Sequence, residues 1–348
     1  MKKKKKIAVI FGGTGHEREV STLGAEFILC NIDRSKYSPV PIYVTRCGEM
    51  RICLHGCGAV EMSRGAVATY KTYPQKSKIG IAFKLPIGSV KCNAVIPVLH
   101  GDGGEDGSIQ GMLEFFGAPF VSSGSIASGI CIDKAYTKEL ADALGIPTVP
   151  YLCFDGEDVA DAMITAGERL GYPMFIKPRR LGSSFGCDKV SAPQDFERAY
   201  KHAAALGGGR VIVEKYLEDK RELECAYFSP CDLYTPPAEV LCPTAFYSYS
   251  EKYSRSSYTK TRVRAEVEKE VEQTVREYSR RLVRHIGIRH LARIDYFLDG
   301  GRVYLNEINT IPGMTVTSLY PALLGEYGIP PSEMIDMLIE AALGDRNI

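Results

Sequence analysis

The sequence has almost no net charge and no long apolar segment. Its 43 Lys and Arg residues balance 42 Asp and Glu residues to a formal charge of +1, so no overall field attracts nucleic acid or a membrane surface. No stretch approaches the ~20 apolar residues of a membrane span, and the apolar residues 7–11 are too few for a signal peptide. The lysine run at residues 2–6 is interpreted as a solvated N-terminus. We therefore expect a cytoplasmic protein that binds neither nucleic acid nor membrane.

Several familiar site patterns are also missing. The eleven cysteines are scattered, and the pair Cys53 and Cys57 has no second pair at zinc-ribbon spacing. There is no Walker A sequence. The glycines at residues 12–15 resemble a dinucleotide fingerprint, but Arg18 occupies its third glycine position. A zinc site, a P-loop and a Rossmann dinucleotide site are thus not predicted.

The order of predicted elements indicates an α/β protein of more than one domain. A chain of 348 residues exceeds one compact core. Strands predicted at residues 7–11, 41–45 and 94–99 alternate with helices from residue 21 and at 108–116, which favours an open parallel sheet. Residues 46–91 are interpreted as an irregular surface excursion. Strands and helices between 133 and 214 predict a second α/β unit. A third unit contains a polar stretch at 247–260, a helix ending at Gly287, and a hairpin.

That hairpin, predicted from strands at 292–298 and 302–306, carries a candidate metal site. Asp295 lies two residues from Arg293 on one strand, and Glu307 lies two residues from Asn309 on the other, so all can share one face. Two adjacent carboxylates are costly without a cation, and oxygen ligands without His or Cys favour Mg²⁺. The alternative is a surface salt-bridge ladder that uses Arg293.

Two further segments predict binding of charged groups. Lys177 ends an apolar strand beside the loop GSSFG (residues 182–186), a combination suited to phosphate oxygens. Glu17 stands at a strand-to-helix turn, where its carboxylate could receive a substrate ammonium or simply favour the helix dipole. His100 follows a strand directly and is either a site residue or a hydrogen-bonded structural histidine.

Together these segments resemble the D-alanine–D-alanine ligases of the ATP-grasp superfamily over essentially the whole chain. The match lies in eight segments that occur in the family's order. They are residues 11–21 (FGGTGHEREVS), 100–107 (HGDGGEDG), 133–134 (DK), 175–178 with 182–186 (FIKP, GSSFG), 214–217 (EKYL), 251–253 (EKY), 293–295 (RID) and 306–315 followed by 318–319 (NEINTIPGMT, SL).

The resemblance implies a three-domain ATP-grasp fold, with an N-terminal open parallel α/β domain and two α+β domains that sandwich ATP. The implied divisions are an N-terminal substrate-binding domain at 1–121, a central ATP-grasp subdomain at 122–217, and a C-terminal domain at 218–348 with a mobile loop at 247–260. The implied activity is ATP-dependent joining of two D-alanines for peptidoglycan precursors. ATP, two Mg²⁺ ions (or Mn²⁺) and a homodimer formed through the first domain are implied as well.

The same resemblance assigns individual roles. For ATP it implies that Lys134 and Lys177 hold phosphates, that Glu214, Lys215, Tyr216 and Leu217 form the adenine hinge, that Glu222 binds the ribose and that Lys252 reaches over the phosphates. Asp295, Glu307 and Asn309 would bind the metal ions. Glu17, with His100 nearby, would take the first substrate's ammonium, and Arg293 and the Gly313 N–H would stabilise the tetrahedral intermediate. Ser183, Tyr253, Ser318 and Leu319 would surround the second substrate.

Some positions depart from the family pattern, and alternatives stay open. Gly15, Leu181 and Thr317 replace the Ser, Glu and His that many members carry. The segment around 175–186 is also similar to D-alanine–D-serine ligases of the vancomycin-resistance type, whereas the apolar Leu319 suits a methyl side chain and Tyr253 argues against D-lactate. A different ATP-grasp ligase, or a non-catalytic ATP-grasp-like protein, is the remaining alternative.

Overall fold

The computed structural model describes residues 3–54, 56–241 and 260–345. Within these ranges the chain forms a mixed α/β structure with four sheets. No helix of the described ranges is both long and apolar enough to cross a membrane. The predicted divisions after residues 121 and 217 stay a prediction.

The first sheet has a parallel centre, as predicted, and an antiparallel edge. β1 (Lys5–Gly12) lies between β2 (Tyr37–Val44) and β8 (Ala94–Pro97) and is parallel to both. Residues 7–11 are fully buried, which explains the continuous apolar run of a strand covered on both faces. Helix α1 (Arg18–Asn31) connects β1 to β2 and begins three residues before the predicted start. The antiparallel edge consists of β3 (Met50–Ile52), which pairs with β2, and β4 (Tyr70–Lys71), which pairs with β3.

The prediction of an irregular excursion at residues 46–91 is wrong. Besides β3 and β4, this stretch holds the short helix α2 (Ala59–Ser63) and most of a three-stranded antiparallel sheet. Ile81 and Phe83 of the central strand are fully buried among first-domain residues, including those of α3 (Ser108–Phe116). The apolar part of this strand is only three residues long (81–83), too short to indicate a buried strand in the sequence. Cys53 and Cys57 are paired through their sulfur atoms. The sheet's strands are β5 (Tyr73–Ser77), β6 (Gly80–Lys84) and β7 (Ser89–Cys92).

The second sheet is entirely antiparallel, in the order β11-β10-β12-β9. Its core contains Phe154, Ile176 and Phe196, with two helices packed on the strands. Strand β10 ends at Pro178, so Lys177 lies at its carboxyl end, as predicted. The elements are β9 (Tyr151–Asp155), α6 (Val159–Arg169), β10 (Met174–Pro178), β11 (Asp188–Val190), α7 (Phe196–Leu206) and β12 (Arg210–Lys215).

The third sheet has the order β16-β15-β13-β17-β18, with β14 (Leu233–Tyr234) added beside β13. Its amphipathic helix α8 (Lys269–Ile286) buries Val275 and Leu282 and ends at Gly287, which adopts a left-handed conformation, as predicted for a C-terminal cap. The other strands are β13 (Arg221–Phe228), β15 (Ala238–Leu241), β16 (Lys260–Arg262), β17 (Leu291–Asp299) and β18 (Arg302–Asn309).

Four further helices bring the sheets together around the site. α4 (Ser125–Ile132) and α5 (Lys134–Ala143) both contact β18. The sequence predicts α5, whose N-cap Asp133 accepts hydrogen bonds from the backbone N–H groups of Ala135 and Tyr136, but it does not predict α4. α9 (Leu319–Glu326) and α10 (Pro331–Gly344) pack in the core that includes one face of the first sheet.

Candidate active site

The hairpin formed by β17 and β18 brings the predicted charged residues together. Asp295 pairs directly with Glu307, and Arg293 pairs with Asn309. The register then shifts, since Tyr296 pairs with Leu305, so Asn306 is the extra residue of a β-bulge. The bulge lets Asn306 line the same cleft as Glu307, a contribution that the sequence alternation does not predict.

Arg293 is the centre of a partly buried ion-pair cluster. Its Nε and terminal nitrogen lie 2.8 Å and 2.7 Å from the two carboxylate oxygens of Asp295, and Nε lies 3.2 Å from Oε2 of Glu224 on β13. Asn309 donates to Asp295 as well, at 3.1 Å. Burial alone disfavours the guanidinium charge, but Asp295 and Glu224 outweigh it and hold the pKa of Arg293 well above its usual value. The salt bridge anticipated in the ladder alternative therefore exists, but it is partly buried in a cleft.

Two clefts meet at this cluster. Both are lined by Gly182, Ser183, Glu224, Arg293 and Glu307. Every predicted site residue that the structure describes lines at least one cleft. The first cleft holds Lys134, Lys177, Glu214, Lys215, Tyr216, Leu217, Glu222 and Asp295, and the second holds Glu17, His100, Asn309, Gly313, Ser318 and Leu319.

Two predicted residues cannot be placed. Lys252 and Tyr253 lie outside the described residues, as does the loop predicted at 247–260 up to residue 259.

Lysines from two elements face the first cleft. Lys134 is the first residue of α5, and its ammonium donates to the carbonyl of Leu181 at 2.7 Å and lies 3.4 Å from the Glu307 carboxylate. Lys177 at the end of β10 forms an ion pair with Glu214 at 2.9 Å. The two ammonium groups therefore reach the cleft from α5 and β10, and each is balanced by a carboxylate.

The residues predicted as an adenine hinge follow β12. Lys215, Tyr216 and Leu217 line the first cleft, while Glu214 uses its two oxygens for ion pairs with Lys177 and with Lys138. Glu222, the predicted ribose ligand, lies 3.2 Å from the ammonium of Lys220.

The glycine-rich loop is docked against the turn between β1 and α1. The Ser183 hydroxyl donates to the Glu17 carboxylate, and the His16 ring lies 5.1 Å from the Phe185 ring. Glu17 is the N-cap residue of α1, yet its side chain makes no capping hydrogen bond. The Glu17 carboxylate therefore contacts the glycine-rich loop, while its charge still lies at the N-terminus of α1.

His100 and Glu105 are buried at the far side of the second cleft. His100 Nδ1 lies 4.0 Å from Oε2 of Glu105, which accepts a hydrogen bond from the Gly101 N–H at 3.0 Å. Burial lowers the pKa of His100, and burial raises the pKa of Glu105 to about 8. Near neutral pH this corner thus favours an uncharged imidazole and a protonated carboxyl. Glu105 belongs to the segment HGDGGEDG (residues 100–107), but nothing in the sequence indicates that its side chain is buried.

The segment after β18 forms another wall of the second cleft. The Ser318 hydroxyl accepts from the Thr315 N–H at 2.9 Å, and a Cβ on Gly313 would lie 3.0 Å from the Ser318 oxygen. Leu319, at the start of α9, exposes 8% of its surface and faces the second cleft. An apolar group therefore borders this end of the site.

The donor set at the hairpin fits a hard cation that also binds phosphate oxygens. Within the described ranges, no three His, Cys, Asp or Glu side chains are arranged to hold a metal unaided. Asp295 and Glu307 supply two carboxylates in direct register and Asn309 an amide oxygen, the oxygen ligands that Mg²⁺ prefers when substrate phosphates complete its shell.

Comparison with known proteins agrees with this architecture. Residues 6–123 match the family model "D-ala D-ala ligase N-terminus", and residues 140–340 match "D-ala D-ala ligase C-terminus". The D-alanine–D-alanine ligase of Ruminiclostridium cellulolyticum is 36% identical, over 97% of this chain and 95% of that protein.

Two solved structures are similar along the whole chain. The D-alanine–D-alanine ligase of Coxiella burnetii has a TM-score of 0.87 at 25% identity, covering 99% of this chain and 95% of the other. The VanG D-Ala:D-Ser ligase of Enterococcus faecalis has a TM-score of 0.85 at 31% identity, covering 98% and 100%.

The fold and the paired clefts define an ATP-dependent ligase with the ATP-grasp fold, as predicted. Within that class, the chain belongs to the D-alanine–D-alanine ligase family. Its substrates are therefore small molecules.

Proposed function

We propose that this enzyme joins two D-alanines into D-alanyl-D-alanine for peptidoglycan precursors, through an acyl-phosphate intermediate. The observation that carries the proposal is the junction of the two clefts at Ser183, Arg293 and Glu307. ATP in one cleft and amino acids in the other would bring the γ-phosphate and a substrate carboxylate together at that junction.

In the first cleft, Lys134 and Lys177 hold ATP phosphates, and Lys252 is assigned to the same task. Residues 214–217 recognise adenine, and Glu222 binds the ribose hydroxyls. This assignment is supported by the two ammonium groups and the hinge segment lining one cleft.

Asp295, Glu307 and Asn309 are assigned to two Mg²⁺ ions, with Mn²⁺ as a possible substitute. When bound, the ions neutralise phosphate charge and align the γ-phosphoryl group. Arg293 donates to both oxygens of Asp295, and these hydrogen bonds would weaken if Asp295 also held a metal ion. With these bonds weakened, Arg293 is available to a substrate oxyanion while it stays beside Glu224.

In the second cleft, Glu17 receives the ammonium of the first D-alanine, with His100 nearby. A carboxylate oxygen of that substrate attacks the γ-phosphorus, ADP leaves, and an acyl phosphate forms. The deprotonated amine of the second D-alanine then attacks the carbonyl carbon and expels phosphate. Arg293 and the Gly313 N–H stabilise the oxyanion, while Ser183, Tyr253 and Ser318 hold the second substrate.

The second candidate is joining of D-alanine to D-serine, because the structure is also similar to a D-Ala:D-Ser ligase. Leu319 favours D-alanine, since its apolar side chain faces the second cleft and offers no partner to a serine hydroxyl. The test is ATP consumption with D-alanine alone, then with D-serine or D-lactate added, with the products identified by mass. D-alanyl-D-alanine as the main product supports the proposal, and a predominance of the mixed dipeptide contradicts it.

We also propose that the enzyme is a cytoplasmic homodimer paired through its first domain, divided into domains after residues 121 and 217. Cytoplasmic location follows from the need for ATP. A sedimentation measurement of mass that gives a monomer contradicts the dimer.

A further inference from the structure

Lys138 is a buried charge that the proposed roles leave unexplained. It lies on α5, one helical turn after Lys134, and none of its side chain is exposed. It lines neither of the two clefts, so it is not placed to touch ATP or an amino acid. A fully buried lysine is rare unless it is paired, and its partner indicates what it does.

That partner is Glu214, which is shared between two lysines. The ammonium of Lys138 lies 3.0 Å from Oε1 of Glu214, and that of Lys177 lies 2.9 Å from Oε2. The exposed fractions of the side chains are 0% for Lys138, 3% for Glu214 and 6% for Lys177. Only Lys177 and Glu214 line the first cleft, so Lys138 stands behind the carboxylate.

The Tyr151 ring also lies beside Lys138, with its centroid 5.4 Å from the ammonium, and the Asp142 carboxylate favours the charged form of Lys138 as well. Burial lowers the pKa of Lys138, and the Glu214 carboxylate opposes that shift. Burial by itself raises the pKa of Glu214, but Lys138 and Lys177 outweigh it and hold that pKa at about 2. Glu214 is therefore an ionised carboxylate that needs a positive partner on each side.

The charges of Lys138, Glu214 and Lys177 affect how strongly this part of the cleft attracts the phosphates of a nucleotide. Two ammonium groups and one carboxylate leave one positive charge. Without Lys138, Glu214 and Lys177 would form a neutral pair, and the carboxylate, no longer shared, would hold Lys177 more tightly. A neutral pair attracts phosphate far less than a surplus ammonium does in a site of low dielectric constant.

We propose that Lys138 is a positioning residue for nucleotide binding: by neutralising Glu214 from behind, it leaves the charge of Lys177 available to the phosphates of ATP. The inference rests on the proposed assignment of the first cleft to ATP. It adds a residue that touches no substrate, and it explains why a lysine is buried at this place.

The test is calorimetric binding of ATP with Mg²⁺ and no D-alanine, using Lys138→Met, which keeps most of the side chain's length. We expect ATP to bind about tenfold more weakly, the order expected when the charge-assisted contact of Lys177 with a phosphate is partly lost to Glu214. In turnover assays the KM for ATP rises and the KM for D-alanine stays unchanged. Lys138→Arg, which keeps the charge, recovers at least part of the affinity.

A double-mutant cycle that measures Lys138→Met in a Glu214→Gln protein distinguishes this electrostatic role from a purely structural one. In the Glu214→Gln background there is no carboxylate charge for Lys138 to neutralise, so the loss of ATP affinity caused by Lys138→Met should be smaller there than in the unmodified enzyme. Equal losses in both backgrounds overturn the proposal, because Lys138 would then act independently of Glu214. Unchanged ATP affinity in a folded Lys138→Met protein also overturns it. Failure of the unmodified enzyme to bind ATP contradicts instead the assignment of the cleft.

Discussion

Replacing Glu224 by Gln should strengthen the ion pair between Arg293 and the predicted metal ligand Asp295. Glu224 lies 3.2 Å from the guanidinium, which Asp295 also holds at 2.7 and 2.8 Å. The Gln side chain keeps the shape and removes the charge. Arg293 then depends on Asp295 alone, and Mg²⁺ has to compete with a more tightly held guanidinium. We expect weaker Mg²⁺ binding with little change in the fold.

The size of the effect follows from the burial of the pair. The side chains of Arg293 and Glu224 are 21% and 12% exposed, so solvent screens their interaction only in part. An ion pair contributes about 1 kcal/mol when exposed and about 3 kcal/mol when buried, and this pair lies between the two cases. At 1.4 kcal/mol for each factor of ten, loss of the Glu224 charge should raise the Mg²⁺ concentration needed for half-maximal activity roughly tenfold to a hundredfold.

The assay is a Mg²⁺ titration of ADP release at saturating ATP and D-alanine, supported by direct Mn²⁺ binding to the enzyme with ADP. Glu239→Gln is a matched control. Glu239 lies on β15 of the same sheet, is 5% exposed, and forms ion pairs with Arg221 at 2.6 Å and Arg262 at 3.4 Å. It lines neither cleft, so its loss should lower thermal stability without moving the Mg²⁺ curve.

Two results would refute this reasoning. In the first, the Glu224→Gln protein needs the same Mg²⁺ concentration for half-maximal activity as the unmodified enzyme, and its kcat and stability are also unchanged. The other is a shift of the same size in the Glu239 control, which would show that any lost ion pair of this sheet alters metal binding.

Three further changes test other parts of the site. Glu307→Gln removes one proposed metal bridge, so turnover should be lost at an unchanged melting temperature, and near-normal ADP release would contradict the metal assignment. Glu17→Gln removes the proposed partner of the first substrate's ammonium and weakens the Ser183 contact; the KM for D-alanine should rise at least tenfold while ATP affinity, measured by calorimetry, stays the same. Glu105→Gln tests the buried carboxyl. Because its folded-state pKa, about 8, exceeds the ordinary value of 4.5, the folded state holds a proton that the unfolded state releases, and stability falls as pH rises between these values. Melting curves of the metal-free Gln variant should show a smaller fall over that range, and an unchanged pH dependence would contradict the buried-acid interpretation.

Much of the fold and of the candidate site is predictable from local pattern. The apolar run of β1, the glycine after α8 and the two-residue spacing on the hairpin each depend on neighbours close in sequence. The site residues named from the sequence are gathered at the clefts because motifs at strand ends reach a common place when the strands assemble.

The features that the sequence does not predict depend on contacts between distant parts of the chain. Residues 46–91 hide a sheet because Ile81 and Phe83 become core residues only by packing on the first domain. Asn306 enters the cleft through a bulge, and bulges depend on how two strands pair.

The sequence by itself determined the family, the α/β class, and which residue types are available for phosphate, metal and ammonium. The tertiary structure alone decided which charges are partners. Glu224 meets Arg293 across two strands, and Lys138 meets Glu214 between α5 and β12. These contacts join residues about 70 positions apart in each case, and their strength depends on exclusion of water, which only the packed molecule provides.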